Sequence, residues 1–458
     1  IGPSTNTKSQ LKELAKAGVN VFRINFSHGN IDEHEKTLKL INEINNETDF
    51  NISIMADLQG PKIRVGKMKE GTELKEGSNV KIKVGKEDGD EKMFYITYNE
   101  LPNDVKKGDR ILLDDGKLEL KVVSTNSKDL VTAKVVHGGP LKSNKGVNLP
   151  NTHISEPSLT RKDLKDLSYI LKNNVHWVAL SFVRSSTDIY DLRKIIQRHS
   201  HDAKIIAKIE KPEALNNIDK IIYETDAIMV ARGDLGVEVP MEDIPTIQKQ
   251  IVSKCIRNNK PVIIATQLME NMIDNPRPTR AEITDVANSV IDGADAVMLS
   301  GETSVGKYPI EVIKTINRII NAVEKEGVLY LASDGINKWG NYPKKSSSTF
   351  LSDAVCFNAC KIADNVSAKA IISMTESGYT AFQISSYRPK ARIFIFTANK
   401  TLLNTLNLVW GVKAFYYNRF VSTDETIMDV KHILKKNGYI KAGDVIVNTA
   451  SIACGYHA

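Results

Sequence analysis

Seven short apolar runs recur through the first two-thirds of the chain, at residues 19–25, 52–57, 176–181, 204–209, 227–230, 261–265 and 296–299. Their apolar character is continuous rather than alternating, which suits strands buried on both faces. Between most of them lie segments with helical spacing. Ile310, Ile313, Ile316, Ile320 and Val323 follow the three-and-four rhythm of one helix face. Thr279 and Glu282 stand at capping-box distance at the start of another helix. This alternation predicts a parallel sheet covered by helices, in the form of a (β/α)8 barrel. A barrel of that kind needs eight strands. Residues 7–17 read as a helix with no strand ahead of it, so the first barrel strand is expected before Ile1.

One stretch breaks the rhythm. Residues 62–158 carry no long amphipathic helix but many glycines between short strand-like runs such as 80–84 and 111–113. They predict a small β-rich domain (B) inserted into the barrel domain (A), which takes residues 1–61 and 159–335. The polar, turn-rich stretch 334–349 marks a boundary. The C-terminal part, residues 336–458, alternates again beyond that stretch, with strands expected at 370–375, 392–397, 412–416 and 444–448. That pattern predicts a C-terminal open α/β sheet domain (C), with an end that stops short of a last strand.

Composition narrows the class. The 458 residues are 41% hydrophobic and 26% charged, ordinary for a globular protein of about three domains at roughly 150 residues each. No uncharged apolar run approaches the ~18 residues of a membrane span, so no membrane partner is expected. The net charge of +7 suits an anionic substrate. No aromatic-interleaved basic cluster accompanies it, which argues against a nucleic-acid partner. Cys255, Cys356, Cys360 and Cys454 form no disulfide framework, consistent with a reducing compartment such as the cytoplasm; an organelle-targeted isoform is the other reading, since a removed leader leaves no trace here. Cys356 and Cys360 read as helix-core residues.

Reactive residues of a parallel barrel collect at the C-terminal strand ends. Those ends here carry Arg23-Ile24-Asn25-Phe26-Ser27-His28-Gly29, Asp57-Leu58-Gln59-Gly60-Pro61-Lys62-Ile63-Arg64, Lys208-Ile209-Glu210, Ala231-Arg232-Gly233-Asp234, Thr266-Gln267 and Ser300-Gly301-Glu302-Thr303. Lys208 and Glu210 are two apart on one strand, so their side chains point the same way. Glu210 and Asp234 end neighbouring strands, and two carboxylates there suit a Mg²⁺ that keeps water and substrate oxygens as its other ligands. Lys208 beside that metal would face developing negative charge. Arg23 is a candidate phosphate clamp. The Gly233–Asp234 backbone is a candidate carboxylate or phosphate cradle. Gly301, Gly306 and Lys307 imitate a phosphate-binding loop, but Tyr308 stands where that motif needs Ser or Thr.

Taken together, these segments resemble the pyruvate kinase family. The resemblance also rests on Ile1-Gly2-Pro3-Ser4, Lys145-Gly146-Val147-Asn148-Leu149-Pro150, Met229 through Leu235 and Asn275 through Glu282, all in family order over nearly the whole chain. It implies transfer of the phosphoryl group of phosphoenolpyruvate to ADP, giving pyruvate and ATP, the last step of glycolysis, by a cytoplasmic homotetramer. By motif, Arg23 and Lys208 contact the phosphoryl group, and Lys208 stabilises the transition state. Glu210 and Asp234 hold Mg²⁺, with Mn²⁺ a second candidate. Gly233, Asp234 and Thr266 bind substrate, Thr266 counting among the catalytic residues. Asn25, His28, Arg64 and Lys145 address the nucleotide phosphates, with Asp115 a weaker candidate near the nucleotide's metal. The resemblance also implies that the B domain closes as a lid and that the C domain serves effector binding or oligomerisation.

The monovalent-cation positions of the family fall on Asn25, Ser27, Asp57 and Leu58. Members that need K⁺ carry an acidic residue where this chain has Lys62, whose ammonium is expected to replace the ion, so K⁺ is not expected to be required. In domain C, Thr375, Ser377, Gly378 and Thr380 match an effector-phosphate cradle. Glu376 puts a carboxylate into it, and fructose 1,6-bisphosphate is therefore not expected to activate. A metal-dependent barrel aldolase acting on pyruvate enolate is the alternative function. It needs the same carboxylates but neither Lys208 nor a nucleotide lid.

Overall fold

The computed structural model describes residues 1–85, 87–150, 152–325, 343, 348–419 and 421–449. The boundary expected at 334–349 lies almost wholly outside the described residues, as does Cys454.

Seven parallel strands form the main sheet in chain order: β1 (Val21–Asn25), β2 (Ser53–Asp57), β3 (Trp177–Leu180), β4 (Lys204–Ile209), β5 (Ala227–Ala231), β6 (Val262–Ala265) and β7 (Ala296–Met298). Each pairs in parallel with the next, and β1 and β7 are the two edges among the described residues. Alternate residues explain the unbroken apolar runs. Met55, Trp177, Ala179, Ile206, Met229 and Ile263 pack into one inner cluster. Ile54, Val178, Ile205, Ile228, Val262 and Ile264 face the surrounding helices. Both faces are apolar because both are covered.

Strand β1 begins two residues later than the apolar run predicts. Gly18, at φ 117°, ends the helix Lys8–Ala17 in the left-handed region, and the Val19 N–H donates back to Leu14 O at 3.1 Å. Val19 therefore belongs to a helix cap. The capping box at Thr279 and Glu282 forms as expected and opens the helix Arg280–Asp292.

Between β2 and β3 the chain builds a six-stranded sheet with its own core around Val80, Phe94, Leu120 and Val131. Among its described residues it holds one short helix, Leu101–Asp104. Two chain segments connect it to the barrel. Tyr98, Asp104 and Ser155 tie the second connection to the inserted sheet, with Ser155 N donating to Asp104 Oδ2 at 2.9 Å. Arg184 Nη2 ties the same connection to the barrel through Glu156 O at 2.8 Å.

A third, four-stranded parallel sheet runs in the order Val412–Tyr416, Arg392–Thr397, Ala370–Met374, Ile446–Thr449. The last strand starts later than expected because residues 441–444 close a turn, with Lys441 N donating to Asp444 Oδ2 at 2.8 Å. Cys356 and Cys360 are buried on the helix Phe350–Asn365, as expected. Burial pushes the Cys356 thiol up to about 12, which keeps it protonated and inert.

This C-terminal unit docks on the N-terminal end of the barrel strands. Leu408 joins the inner cluster of the barrel. The Trp177 indole N–H donates to Thr405 O at 3.3 Å, and Asn404 Nδ2 to Ile52 O at 2.9 Å. Arg388, buried at the same junction, pairs with Asp295 at 3.0 Å and lies 4.9 Å from the centre of the Trp410 ring. Trp410 Nε1 donates to Glu324 Oε1 at 3.1 Å.

His176 sits fully buried at this floor, where Nδ1 accepts from Ile54 N at 2.9 Å. Burial, helped by His201, lowers its pKa to about 4. An unfolded histidine titrates near 6.5. The neutral imidazole therefore contributes stability above about pH 6.5 that is lost as pH falls toward about 4, on the order of 3 kcal/mol in all. The expected result is that His176→Asn, which keeps an acceptor for Ile54 N, flattens the loss of melting temperature between about pH 7 and 5. Parallel slopes for the two proteins would refute this role.

Candidate active site

The C-terminal ends of the barrel strands converge on a chain of charges. Arg23, from β1, donates through Nε to Asp57 Oδ2 at 2.6 Å. Asp57, closing β2, is 1% exposed. Its other oxygen accepts from Lys208 Nζ at 3.1 Å, and Lys208 Nζ also lies 3.0 Å from Glu210 Oε1. The two-residue spacing across the end of β4 thus brings Lys208 and Glu210 to one face. Burial works against the Lys208 ammonium, but Asp57 and Glu210 outweigh it and hold its pKa above the usual lysine range. Burial likewise opposes the Asp57 carboxylate, and Lys208 and Arg23 outweigh it to keep its pKa low. Glu210 goes the other way. Burial raises its pKa, Lys208 opposes, and Asp234 adds to the rise.

Two partners in this chain were not legible from local sequence. Ser181 Oγ accepts from Lys208 Nζ at 2.7 Å while donating to Leu58 O at 2.7 Å. Phe182 N donates to Glu210 Oε2 at 2.8 Å. A third, Asp163, is fully buried and accepts from the N–H groups of Gln59 and Gly60 at 3.1 and 3.2 Å, fixing the loop after β2.

Across the site, Gly233 and Asp234 lie in the first turn of the helix Arg232–Glu238. The Gly233 N–H donates to Thr266 Oγ1 at 2.7 Å. A Cβ on residue 233 would meet that oxygen at 3.2 Å, so the close approach favours glycine. Thr266 itself has φ 68° and Gln267 φ 55°, a conformation that costs a β-branched residue roughly 1–3 kcal/mol. Arg232 holds it. Nη2 donates to Thr266 O at 2.7 Å and to Gln267 O at 3.2 Å, and the guanidinium grips both oxygens of Asp285 at 2.8 Å. Arg232 was visible in the motif, but its task depends on Asp285, 53 positions away.

The remaining expected residues divide. Asn25 and His28 border a cavity of about 860 Å³ with Arg23, Pro3, Glu33 and Ser300. Burial, then Arg64, Lys62 and Arg23, lowers the His28 pKa and favours a neutral imidazole. Lys145 pairs with Asp114 at 2.8 Å, and Arg64 Nη1 donates to Asn144 O at 3.0 Å, both on the inserted unit. Asp115, at φ 56°, lines a narrow crevice with Lys62, Arg184, Lys211 and Asp234. Lys62 Nζ stands 3.8 Å from Asp234 Oδ1, so its ion pair is with Asp234 rather than with Asp57.

At the expected monovalent-cation positions, Asn25 Oδ1 accepts from Ser27 N at 3.0 Å, Leu58 O accepts from Ser181, and Asp57 carries its two cations. In the C-terminal unit, Thr375 Oγ1 accepts from Gly378 N at 3.0 Å and Thr380 Oγ1 from Ser373 Oγ at 3.1 Å, while Glu376 is exposed. Gly306 and Lys307 do not form a phosphate loop. Gly306 N donates to Gly301 O at 2.9 Å, and Lys307 pairs with Asp274.

No group of three or more His, Cys, Asp or Glu side chains is placed to hold a metal among the described residues. The two carboxylates expected to hold one, Glu210 and Asp234, are close enough for Asp234 to raise the Glu210 pKa. That set fits a hard cation completing its shell with water and substrate oxygens.

Comparison with known proteins agrees with this geometry. Residues 1–313 match the family model described as pyruvate kinase, barrel domain, and residues 353–457 match pyruvate kinase, alpha/beta domain. The chain is 40% identical to the pyruvate kinase of Mycobacterium tuberculosis over 456 residues, covering 99% of this chain and 94% of that one. It is 40% identical over 465 residues to the pyruvate kinase of Geobacillus stearothermophilus, covering 99% and 77%. A crystal structure of a pyruvate kinase from Cryptosporidium parvum superposes with a TM-score of 0.92 at 37% identity, covering 99% and 93%. With two family models spanning most of its length and these relatives over nearly all of it, the chain belongs to the pyruvate kinase family, the phosphotransferases that convert phosphoenolpyruvate and ADP to pyruvate and ATP with the help of a divalent metal ion.

Proposed function

We propose that Lys208 and Arg23 carry the charge of the phosphoryl group in this chain's pyruvate kinase reaction. The observation that supports this most is the buried Lys208 ammonium, held by Asp57, Glu210 and Ser181 at the mouth of the strands. In the reaction, the bond between phosphorus and the enol oxygen breaks and one to an ADP phosphate oxygen forms. Negative charge is left on the enolate, and a preorganised cation stabilises it without reorganisation. Arg23 presents a planar donor fork suited to phosphate. Gly233, Asp234 and Thr266 orient the substrate carboxylate, with Arg232 and Asp285 keeping Thr266 in place. Glu210 and Asp234 would hold the metal, for which Mg²⁺ is our reading and Mn²⁺ a substitute; when bound, it neutralises developing negative charge on the substrate oxygens. The barrel aldolase alternative falls with the family assignment.

Asn25, His28, Arg64 and Lys145 are our candidates for the nucleotide phosphates. The cavity beside Asn25 and His28 supports this. Residues 62–158 then act as the lid, excluding water so that the enolate is protonated at carbon and the phosphoryl group is not lost to hydrolysis. We read the chain as a cytoplasmic homotetramer. In support, Leu351, Val355 and Ile362 lie exposed along one side of the helix Phe350–Asn365, a face suited to a second copy. No helix among the described residues is long and apolar enough to cross a membrane.

A coupled assay with phosphoenolpyruvate and each nucleoside diphosphate tests the reading, and its salt composition tests a finer point. Lys62 supplies a positive charge beside Asp234, and the oxygens at the monovalent-cation positions already have partners. Turnover in tetramethylammonium buffer with Mg²⁺ is therefore expected to be near maximal, with ~100 mM K⁺ acting only as general screening. A rise of about tenfold or more on adding K⁺, not matched by an inert salt, would overturn K⁺ independence while leaving the reaction itself in place.

A further inference from the structure

We propose that Asn148, Lys211 and Glu238 form the seat on which the inserted unit closes, and that this seat keeps the two metal-holding carboxylates in register. The inference rests on the lid reading given above and assigns positioning residues to it. Lys211 and Glu238 form an ion pair at 2.6 Å with side chains only 4% and 1% exposed. From the inserted unit, Asn148 Nδ2 donates to Glu238 Oε1 at 2.9 Å. The other oxygen of Glu238 is buried without a partner.

A buried ion pair with unused bonding capacity is costly. Here Asn148 supplies a bond to the carboxylate that already meets Lys211. Moving the inserted unit away removes that bond and opens Glu238 to water. Closing therefore replaces water by one amide at a defined point.

The position of the pair links it to the chemistry. Lys211 directly follows Glu210. Glu238 follows Asp234 by four residues on the helix Arg232–Glu238, so the two share a face. The Lys211–Glu238 pair thus cross-links the strand end that carries Glu210 to the helix that carries Asp234. Asn148 completes this cross-link only when the inserted unit is down. Nearby, the inserted unit also comes close to the helix at Gly116, where an added Cβ would stand 3.7 Å from Val237. Seating the lid therefore reinforces the same pair that spaces the two carboxylates.

The test is a double-mutant cycle in the full chain with Asn148→Ala, Glu238→Gln and both. For Asn148→Ala, kcat is expected to fall about tenfold with KM for phosphoenolpyruvate within about twofold, and the melting temperature to move by no more than about 2 °C. Glu238→Gln is expected also to weaken Mn²⁺ binding, read by electron paramagnetic resonance without substrate, by about three- to tenfold. The double variant should be no slower than Glu238→Gln alone. Additive losses, or full kcat in Asn148→Ala, would overturn the seat. If Glu238→Gln does not fold, Asn148→Asp decides. It sets a second carboxylate against Glu238 and should be slower than Asn148→Ala, and equal rates would overturn the proposal. An inactive wild-type enzyme in the same assay would instead refute the function reading.

Discussion

Lys208→Ala is expected to lower kcat by on the order of 10²–10³, the loss that follows removal of one preorganised group facing a developing oxyanion, about 3–4 kcal/mol. The ammonium is surrounded by Asp57, Glu210 and Ser181, so its position is set before substrate arrives. Losing it leaves Asp57 with Arg23 and leaves Glu210 with the Phe182 N–H. The site becomes more negative, and Mn²⁺ binding should therefore persist. A fall in turnover with metal affinity retained separates loss of charge stabilisation from loss of the metal. Near-full turnover with phosphoenolpyruvate and ADP would show that the mechanism assigned to Lys208 is wrong.

Glu210→Gln should give the complementary signature. The amide oxygen can still accept from Phe182 N, so the local fold is expected to hold. Its neutral side chain makes a poor ligand for a hard cation. Mn²⁺ affinity should drop by more than about tenfold and kcat/KM by on the order of 10². The pH dependence carries a second check. Burial and Asp234 raise the Glu210 pKa, so a proton competes with the metal over a higher pH range than for a free carboxylate near 4.3. Wild-type affinity should climb with pH through that range as the proton leaves, and the Gln variant should lose this part of the climb. Unchanged Mn²⁺ affinity in Glu210→Gln would move the metal elsewhere.

Much of this site was readable in the sequence because its parts sit at strand ends. Period-two geometry puts Lys208 and Glu210 on one face of a strand without any tertiary information. The apolar runs located all seven barrel strands, with errors at their ends. Val19 was lost to a helix cap, and residue 444 to a turn, because backbone N–H groups there serve local partners. What stayed hidden depends on distant pairs. Arg232 grips Asp285, Asp163 holds the loop at Gln59 and Gly60, and Asn148 reaches Glu238 across 90 positions. No local pattern marks such pairs. Lys62 shows the same limit in reverse. Its charge was visible, but its pairing with Asp234 came only from the fold.

The docking of the C-terminal unit against the barrel floor has an optical consequence. Trp177 is buried there with its indole N–H on Thr405 O, and Trp410 lies beside Arg388 with its N–H on Glu324. Residues 62–158 contain no tryptophan at all. The chain's third tryptophan, Trp339, lies outside the described residues; once it is replaced by Phe, the ultraviolet emission of the two remaining indoles reads whether the barrel and the C-terminal unit are in contact, with no indole on the inserted unit to report its movement.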